Sequence, residues 1–243
     1  DGAEGSVTSA RVPVTHSSVM GGGASHDGEH AGTDAAAEPI VLASGSRYRA
    51  ELLASFGIRA VIDPPDVDER IFDVRLDELG PDGLSVALAL LKADDVAPRH
   101  RGRFVVAADQ VGVIERAPGA AVLLTKQPDV EAAVSQLMVM SGTCHHLVNG
   151  VAVVGPSGVV TTGVDVQVVT MRAFTEAEAR DYVVRFEPFD TSGSYRLEDG
   201  EALERLHGAG AALVESVTGE DPRGVLGMPM PLLRRMLAEL GWP

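Results

Sequence analysis

Apolar and polar positions follow two rhythms along this chain. Ile40, Val41 and Leu42 make a short unbroken apolar run, read as a buried strand. The turn Ser44-Gly45-Ser46 follows, and then a segment over residues 47–56 with Leu52, Leu53 and Phe56 on one helical face. A polar connector reaches Gly83, after which residues 84–96 carry Val86, Leu90 and Ala93 at helical intervals, with Ala87, Leu91 and Asp94 beside them. Residues 104–115 read as a buried strand that breaks at Asp109-Gln110 and resumes over 111–114. A hairpin-like insertion at 118–122 precedes a helix capped by Asp129, with Ala132, Ala133, Gln136 and Leu137 on the 3.6-residue period and Ser141-Gly142 at its end. Residues 145–170 hold two Val-rich strands about Gly155-Pro156-Ser157-Gly158, the turn chemistry of an antiparallel hairpin. Thr175 opens a helix to Arg185 with Glu178 at capping-box spacing, residues 211–217 read as a last strand, and a Leu-rich helix closes the chain.

Composition adds a division into two parts. At 243 residues and 45% apolar, the chain can bury a core of ordinary domain size. Residues 1–38 stand apart, rich in Gly, Ala, Ser, His and acidic residues and carrying Gly21-Gly22-Gly23, and are expected to be a disordered tail before a domain at 39–243. His16, His26 and His30 in that tail lack Cys partners or helical spacing and read as solvated rather than metal-binding.

The charge balance, 20 basic against 35 acidic residues for a net −15, argues against non-specific attraction to nucleic acid or an anionic membrane. A polyanionic ligand would need a local basic pocket. The one cysteine, Cys144, admits no internal disulfide and fits a reducing compartment. No apolar run approaches the about 18–20 residues of a membrane span, and the opening DGAEGSV lacks a basic start and apolar stretch, so a cytoplasmic location is expected.

Candidate chemistry begins at residues 40–56. Backbone amides and Ser hydroxyls at a helix N-terminus suit an anion, so Ser44 and Ser46 with Arg49 in the first turn form a phosphate-binding layout. The same pattern also describes an N-capped helix with surface arginines. An acidic run follows, Pro64-Pro65-Asp66-Val67-Asp68-Glu69. Asp109 sits within apolar surroundings, where an unpaired carboxylate is costly, although an aspartate at a strand end is more often a turn or cap residue. Lys92, taken alone, is a helical lysine reaching out to solvent.

These residues in this order resemble the Maf proteins, nucleoside triphosphate pyrophosphatases. Ser44, Ser46, Arg49, Leu52, Leu53, Pro65, Asp68 and Glu69 fit the family's opening pattern, while Arg47 stands where the family has proline and Ala50 where it has a second arginine. Leu90-Leu91-Lys92-Ala93, Ala108-Asp109-Gln110-Val111, Thr125-Lys126-Gln127-Pro128, the segment from Phe189 to Tyr195, and Val225-Leu226-Gly227-Met228-Pro229 are similar to further family motifs, over about residues 39 to 241. About ten extra residues separate Tyr195 from Gly208-Ala209-Gly210, so either Glu198 or His207 takes the specificity position. Glu198 is preferred for its spacing from Tyr195.

The resemblance implies an elongated, two-lobed α/β domain with a mixed twisted sheet and a central cleft, the Maf/ITPase-like fold. It implies cleavage of a nucleoside triphosphate between its α and β phosphates. Arg49, Lys92, Lys126, Ser44 and Ser46 would hold phosphate, Glu69 and Asp109 would hold Mg²⁺ or Mn²⁺, and Asp109 would accept the proton of the attacking water. Loss of the second arginine predicts binding weaker by about 1–3 kcal/mol unless Arg47 compensates. Tyr48, Gln110 and Glu198 favour the 7-methyl-GTP branch, because an aromatic face attracts the cationic base and a carboxylate accepts from guanine N–H groups. Pyrimidine triphosphates (dTTP, UTP, CTP) are the alternative substrates. A degenerate, nucleotide-binding or cell-division regulatory Maf is the non-enzymatic one, and a homodimer stays open.

Overall fold

The computed structural model describes residues 38–69, 75–117 and 119–243. The tail expected at 1–38, with its three histidines, lies outside them but for Glu38. Among the described residues, seven strands form one mixed sheet: β1 (Ile40–Leu42), β2 (Ala60–Ile62), β3 (Val105–Glu115), β4 (Ala121–Leu124), β5 (Cys144–Val154), β6 (Val160–Met171) and β7 (Val214–Thr218). Their order is β2-β1-β3-β5-β6-β7, with β4 also paired to β3. β1 runs parallel to β2 and β3, and the other pairings are antiparallel.

The centre of the sheet is apolar on both faces because helices cover both. Val41, Ala43, Val105, Ala107 and Ala152 pack with Ala89, Ala93 and Val96 of α2 (Leu76–Val96). Their neighbours in sequence, Ile40, Leu42, Val106, Ala108, Val151 and Val153, face the other way, against Leu52 and Leu53 of α1 (Arg47–Ser55) and Leu233 and Leu237 of α6 (Met230–Glu239). A separate cluster joins Leu147, Val169 and Met171 to α3 (Val130–Met140), α4 (Glu176–Phe186) and α5 (Asp199–His207).

Four expectations need correction. β3 does not break at Asp109-Gln110. Its pairing with β5 runs unbroken through Asp109↔Gly150 and Gln110↔Asn149, which keeps the backbone extended. Helix α2 starts earlier than Leu84: a first turn ends at Gly80, whose φ of 65° and ψ of 173° only glycine adopts easily, and Pro81 restarts the helix where its missing N–H costs nothing. The inward face of α2 also differs, comprising Leu84, Ser85, Leu88, Ala89, Lys92, Ala93 and Val96, so Lys92 is buried rather than the solvent-reaching lysine it suggests when taken alone. The inserted segment after Tyr195 folds as α5, and the last strand spans Val214–Thr218 rather than 211–217.

Gly150 sets how closely α2 lies on the sheet. A Cβ there would collide with the backbone of Ser85, so only glycine admits the helix at this distance. Lys92 lies about two turns further along α2, opposite β3.

Candidate active site

The site forms where β3 lacks a strand neighbour on one edge. Pairing with β1 stops at Leu42↔Val106, and pairing with β4 starts at Leu124↔Gly112, leaving residues 107–111 facing the space between them. β1 leaves the sheet into Ser44-Gly45-Ser46, and Asp109 and Gln110 project to opposite faces by strand alternation, Asp109 towards α2 and Gln110 towards the turn Pro222–Leu226. A cavity of about 1060 Å³ opens here, lined by Ser44, Ser46, Tyr48, Arg49, Glu69, Lys92, Asp109, Gln110, Lys126 and Glu198 among others. All the preferred candidate residues therefore meet at one cavity.

An ion triad occupies its floor. The buried Lys92 ammonium contacts the Asp109 carboxylate and lies 3.1 Å from Glu69. Burial pushes the Asp109 carboxyl above the usual range, while Lys92 and Arg49 pull against that rise. This pairing explains why α2 turns a lysine inward and why β3 tolerates a carboxylate without breaking.

Ser46 caps α1, accepting from the Arg49 amide, while the Ser44 hydroxyl accepts from the Ser46 amide at 3.1 Å and from Arg49 Nη1 at 3.1 Å. Arg49 also donates through Nε to the Gly227 carbonyl at 2.9 Å. Gly227 has φ 82°, and a Cβ there would press to 3.2 Å of that guanidinium, so glycine is needed both for the turn and for the arginine. Burial holds the Arg49 pKa below its usual value, with Asp109 and Glu69 opposing that shift. Arg47 is not among the cavity residues. It pairs with Glu51 at 3.3 Å and lies 5.6 Å over the Tyr48 ring, so it does not replace the missing second arginine in this arrangement.

At the far side, a hydrogen bond to Glu198 raises the Tyr48 hydroxyl above its ordinary pKa. Glu198 is set at the start of α5, where Asp199 accepts from the Tyr182 hydroxyl at 2.7 Å. His207, the other specificity candidate, bonds Asp181 at 3.0 Å and is not a cavity residue. Gln110 donates to Asn149 Oδ1 at 3.0 Å and to the Val225 carbonyl at 3.1 Å, so its amide nitrogen faces protein. Asn149 in turn donates to Asp165 and to the Gly224 carbonyl, each at 3.1 Å.

Sequence reasoning missed Arg196, which lines the cavity and is held by Asp190 and by the Phe186 carbonyl. Its place directly after Tyr195 in a matched motif was the available signal. Among the described residues, no group of three or more His, Cys, Asp or Glu is placed to hold a metal ion. The two oxygen donors Glu69 and Asp109 fit a hard cation that takes one or two carboxylates and completes its shell from phosphate and water.

Fold and site define an α/β protein with a polar cavity, in which basic and hydroxyl groups face a carboxylate pair. The chain belongs to the Maf-like protein family, whose model matches residues 39–240. It is 34% identical over 205 residues to a protein of Nitrosococcus oceani named 7-methyl-GTP pyrophosphatase, covering 84% of this chain and 94% of that one. It is 33% identical over 203 residues to a protein of the same name from Bordetella pertussis, covering 83% and 92%. A dTTP/UTP pyrophosphatase of Deinococcus radiodurans is 33% identical over 204 residues, covering 83% and 93%. Among the described residues, no helix is long and apolar enough to cross a membrane.

Proposed function

We propose that this nucleoside triphosphate pyrophosphatase acts on 7-methyl-GTP or a similarly modified guanine nucleotide, releasing pyrophosphate with the help of Mg²⁺ or Mn²⁺. The observation that carries this reading is the meeting of Arg49, Lys92, Lys126 and Ser44 with Glu69 and Asp109 at one cavity in a chain of net charge −15. Arg49, Lys92 and Lys126 bring the local positive charge a polyanion needs, beside carboxylates that a bound cation would offset. Phosphoryl chemistry asks for charge neutralisation and an oriented water more than for covalent catalysis. Arg49 and Lys126 would hold phosphate oxygens, with Ser44 and Ser46 hydrogen-bonding them. Lys92, now paired with the carboxylates, would turn towards the phosphates as they enter.

Asp109 would accept the proton of the attacking water. Glu69 and Asp109 would hold the divalent cation, which when bound neutralises phosphate charge and makes the water more acidic. For the base, Tyr48 offers an aromatic face to a cationic guanine, and Glu198 beside it offers an acceptor for the ring N–H and amine. The relatives named 7-methyl-GTP pyrophosphatase support the same choice. The Deinococcus relative, equally similar in identity to the Bordetella one, favours a second reading with dTTP or UTP as substrate.

A panel of 7-methyl-GTP, GTP, dTTP, UTP and CTP, assayed for pyrophosphate with Mg²⁺ or Mn²⁺, separates the two. We expect 7-methyl-GTP to give the highest kcat/KM, and Glu198→Ala to erase that preference. A preference for pyrimidines would overturn the substrate assignment. Binding without turnover of any of the five would instead mark a nucleotide-binding Maf-like protein.

A further inference from the structure

Gln136 lies on α3, outside the motifs that suggested the site, and its amide bonds two segments that line the cavity. Its Oε1 accepts from the Thr125 amide at 3.2 Å and from Gln127 Nε2 at 2.9 Å. Its Nε2 is directed at the Thr125 carbonyl at 3.1 Å, the Ser192 carbonyl at 2.8 Å and the Ser194 hydroxyl at 2.8 Å. One amide thus joins two cavity walls that come from distant parts of the chain. Thr125 adjoins Lys126, and both line the cavity.

The adjoining wall, Ser192 to Tyr195, contains the fully buried Ser194 with a left-handed φ of 55°, a conformation that a non-glycine residue keeps only when its surroundings hold it. Beyond it, Tyr195 is fixed by His145 Nε2 at 2.8 Å, and Glu198 follows at the base end. The loop at Lys126 has no strand or helix of its own to set it. Gln127 also folds back on Thr125, bonding its carbonyl at 2.9 Å and hydroxyl at 3.0 Å, so the loop's backbone is defined through this one cluster.

We propose that Gln136 is a positioning residue for nucleotide binding, holding the Lys126 loop in register with the Ser192–Tyr195 turn so that phosphate and base are gripped together. It touches neither phosphate nor base and acts through Lys126. The proposal rests on the function given above. A residue that sets only the register of two gripping elements raises KM for a substrate spanning both, and its effect vanishes once the gripping side chain it positions is gone.

The test is steady-state kinetics with the best nucleotide of the panel on wild type, Gln136→Met, Lys126→Ala and the double variant, with unfolding followed in parallel. Gln136→Met keeps the side chain's length while removing both its donor and acceptor. We expect its KM to rise about tenfold or more with a much smaller change in kcat, and the double variant to match Lys126→Ala alone. Gln136→Glu keeps the acceptor side but turns a carboxylate towards the two carbonyls, so it too should raise KM, even if Gln136→Met fails to fold. Unchanged KM in the folded variants, or effects that simply add to that of Lys126→Ala, would overturn the proposal. Turnover by wild type with any nucleotide keeps the function standing in that event, whereas absence of wild-type turnover defeats the function itself.

Discussion

Lys92 draws the clearest line between what single residues say in sequence and what they do in the fold. In the sequence it is one polar position on a helix. In the structure it is 7% exposed at the side chain, between a carboxylate that is 10% exposed and one that is 48% exposed. Removing one member of a buried pair leaves the other charged and unpaired, at about 3–5 kcal/mol. Lys92→Met should therefore lower unfolding stability by roughly 3 kcal/mol, and adding Asp109→Asn should restore part of it, as read from urea melts. Simple additivity would show that the pair is not coupled.

His145 offers a pH test. Burial, with His146 nearby, lowers its pKa from 6.5 to about 4. The unfolded chain takes up a proton near pH 6.5 while the native one resists until about 4, so this contribution is complete above 6.5 and is lost as pH falls through the window. Wild type should lose about 3 kcal/mol more than His145→Leu between pH 7 and 4. Parallel pH profiles would show that the native histidine is charged like the unfolded one.

At the scale of elements, local chemistry was readable where it is self-contained. Ser46 and Asp129 cap α1 and α3, Thr175 and Glu178 form the capping box of α4, and the Gly-Pro-Ser-Gly turn joins β5 to β6, all as their residue types predict. The unbroken β3 and the inward face of α2 were not readable, because each depends on the other. A carboxylate fits a buried strand only if a lysine meets it from another element. Helix α5 was hidden for a different reason, since the matched motifs leave the residues between Tyr195 and Gly208 without a counterpart.

Gly150 belongs to this scale too, because it allows α2 to approach. Gly150→Ala would force the helix from the sheet, so we expect a loss of about 1–3 kcal/mol in stability, together with a fall in kcat as Lys92 leaves Asp109. A stability loss without any change in kcat would separate helix packing from the site.

Over the whole molecule, the sequence motifs lie far apart, and only the sheet explains their convergence. Residues 44–49 leave β1, Asp109 lies mid-β3, Lys126 follows β4, and Glu198 opens α5. The partial pairing of β3 leaves the space into which they project. Family resemblance placed these residues in one site, whereas periodicity alone gave the elements without their order, since long-range pairing is not written in local pattern. Residues 1–37 precede the first described residue. Deleting residues 1–37 should leave turnover intact and stability within about 0.5 kcal/mol, measured by thermal unfolding and pyrophosphate release.

In the proposed function, Asp109 serves hydrolysis between the α and β phosphates at this cavity. Its most direct test is product analysis by phosphorus NMR for wild type and Asp109→Asn, with nucleotide binding measured on both. We predict nucleoside monophosphate and pyrophosphate from wild type, and a rate lower by about 10²–10⁴-fold in a variant that still binds nucleotide. Orthophosphate as the product, or undiminished turnover in Asp109→Asn, would contradict the account.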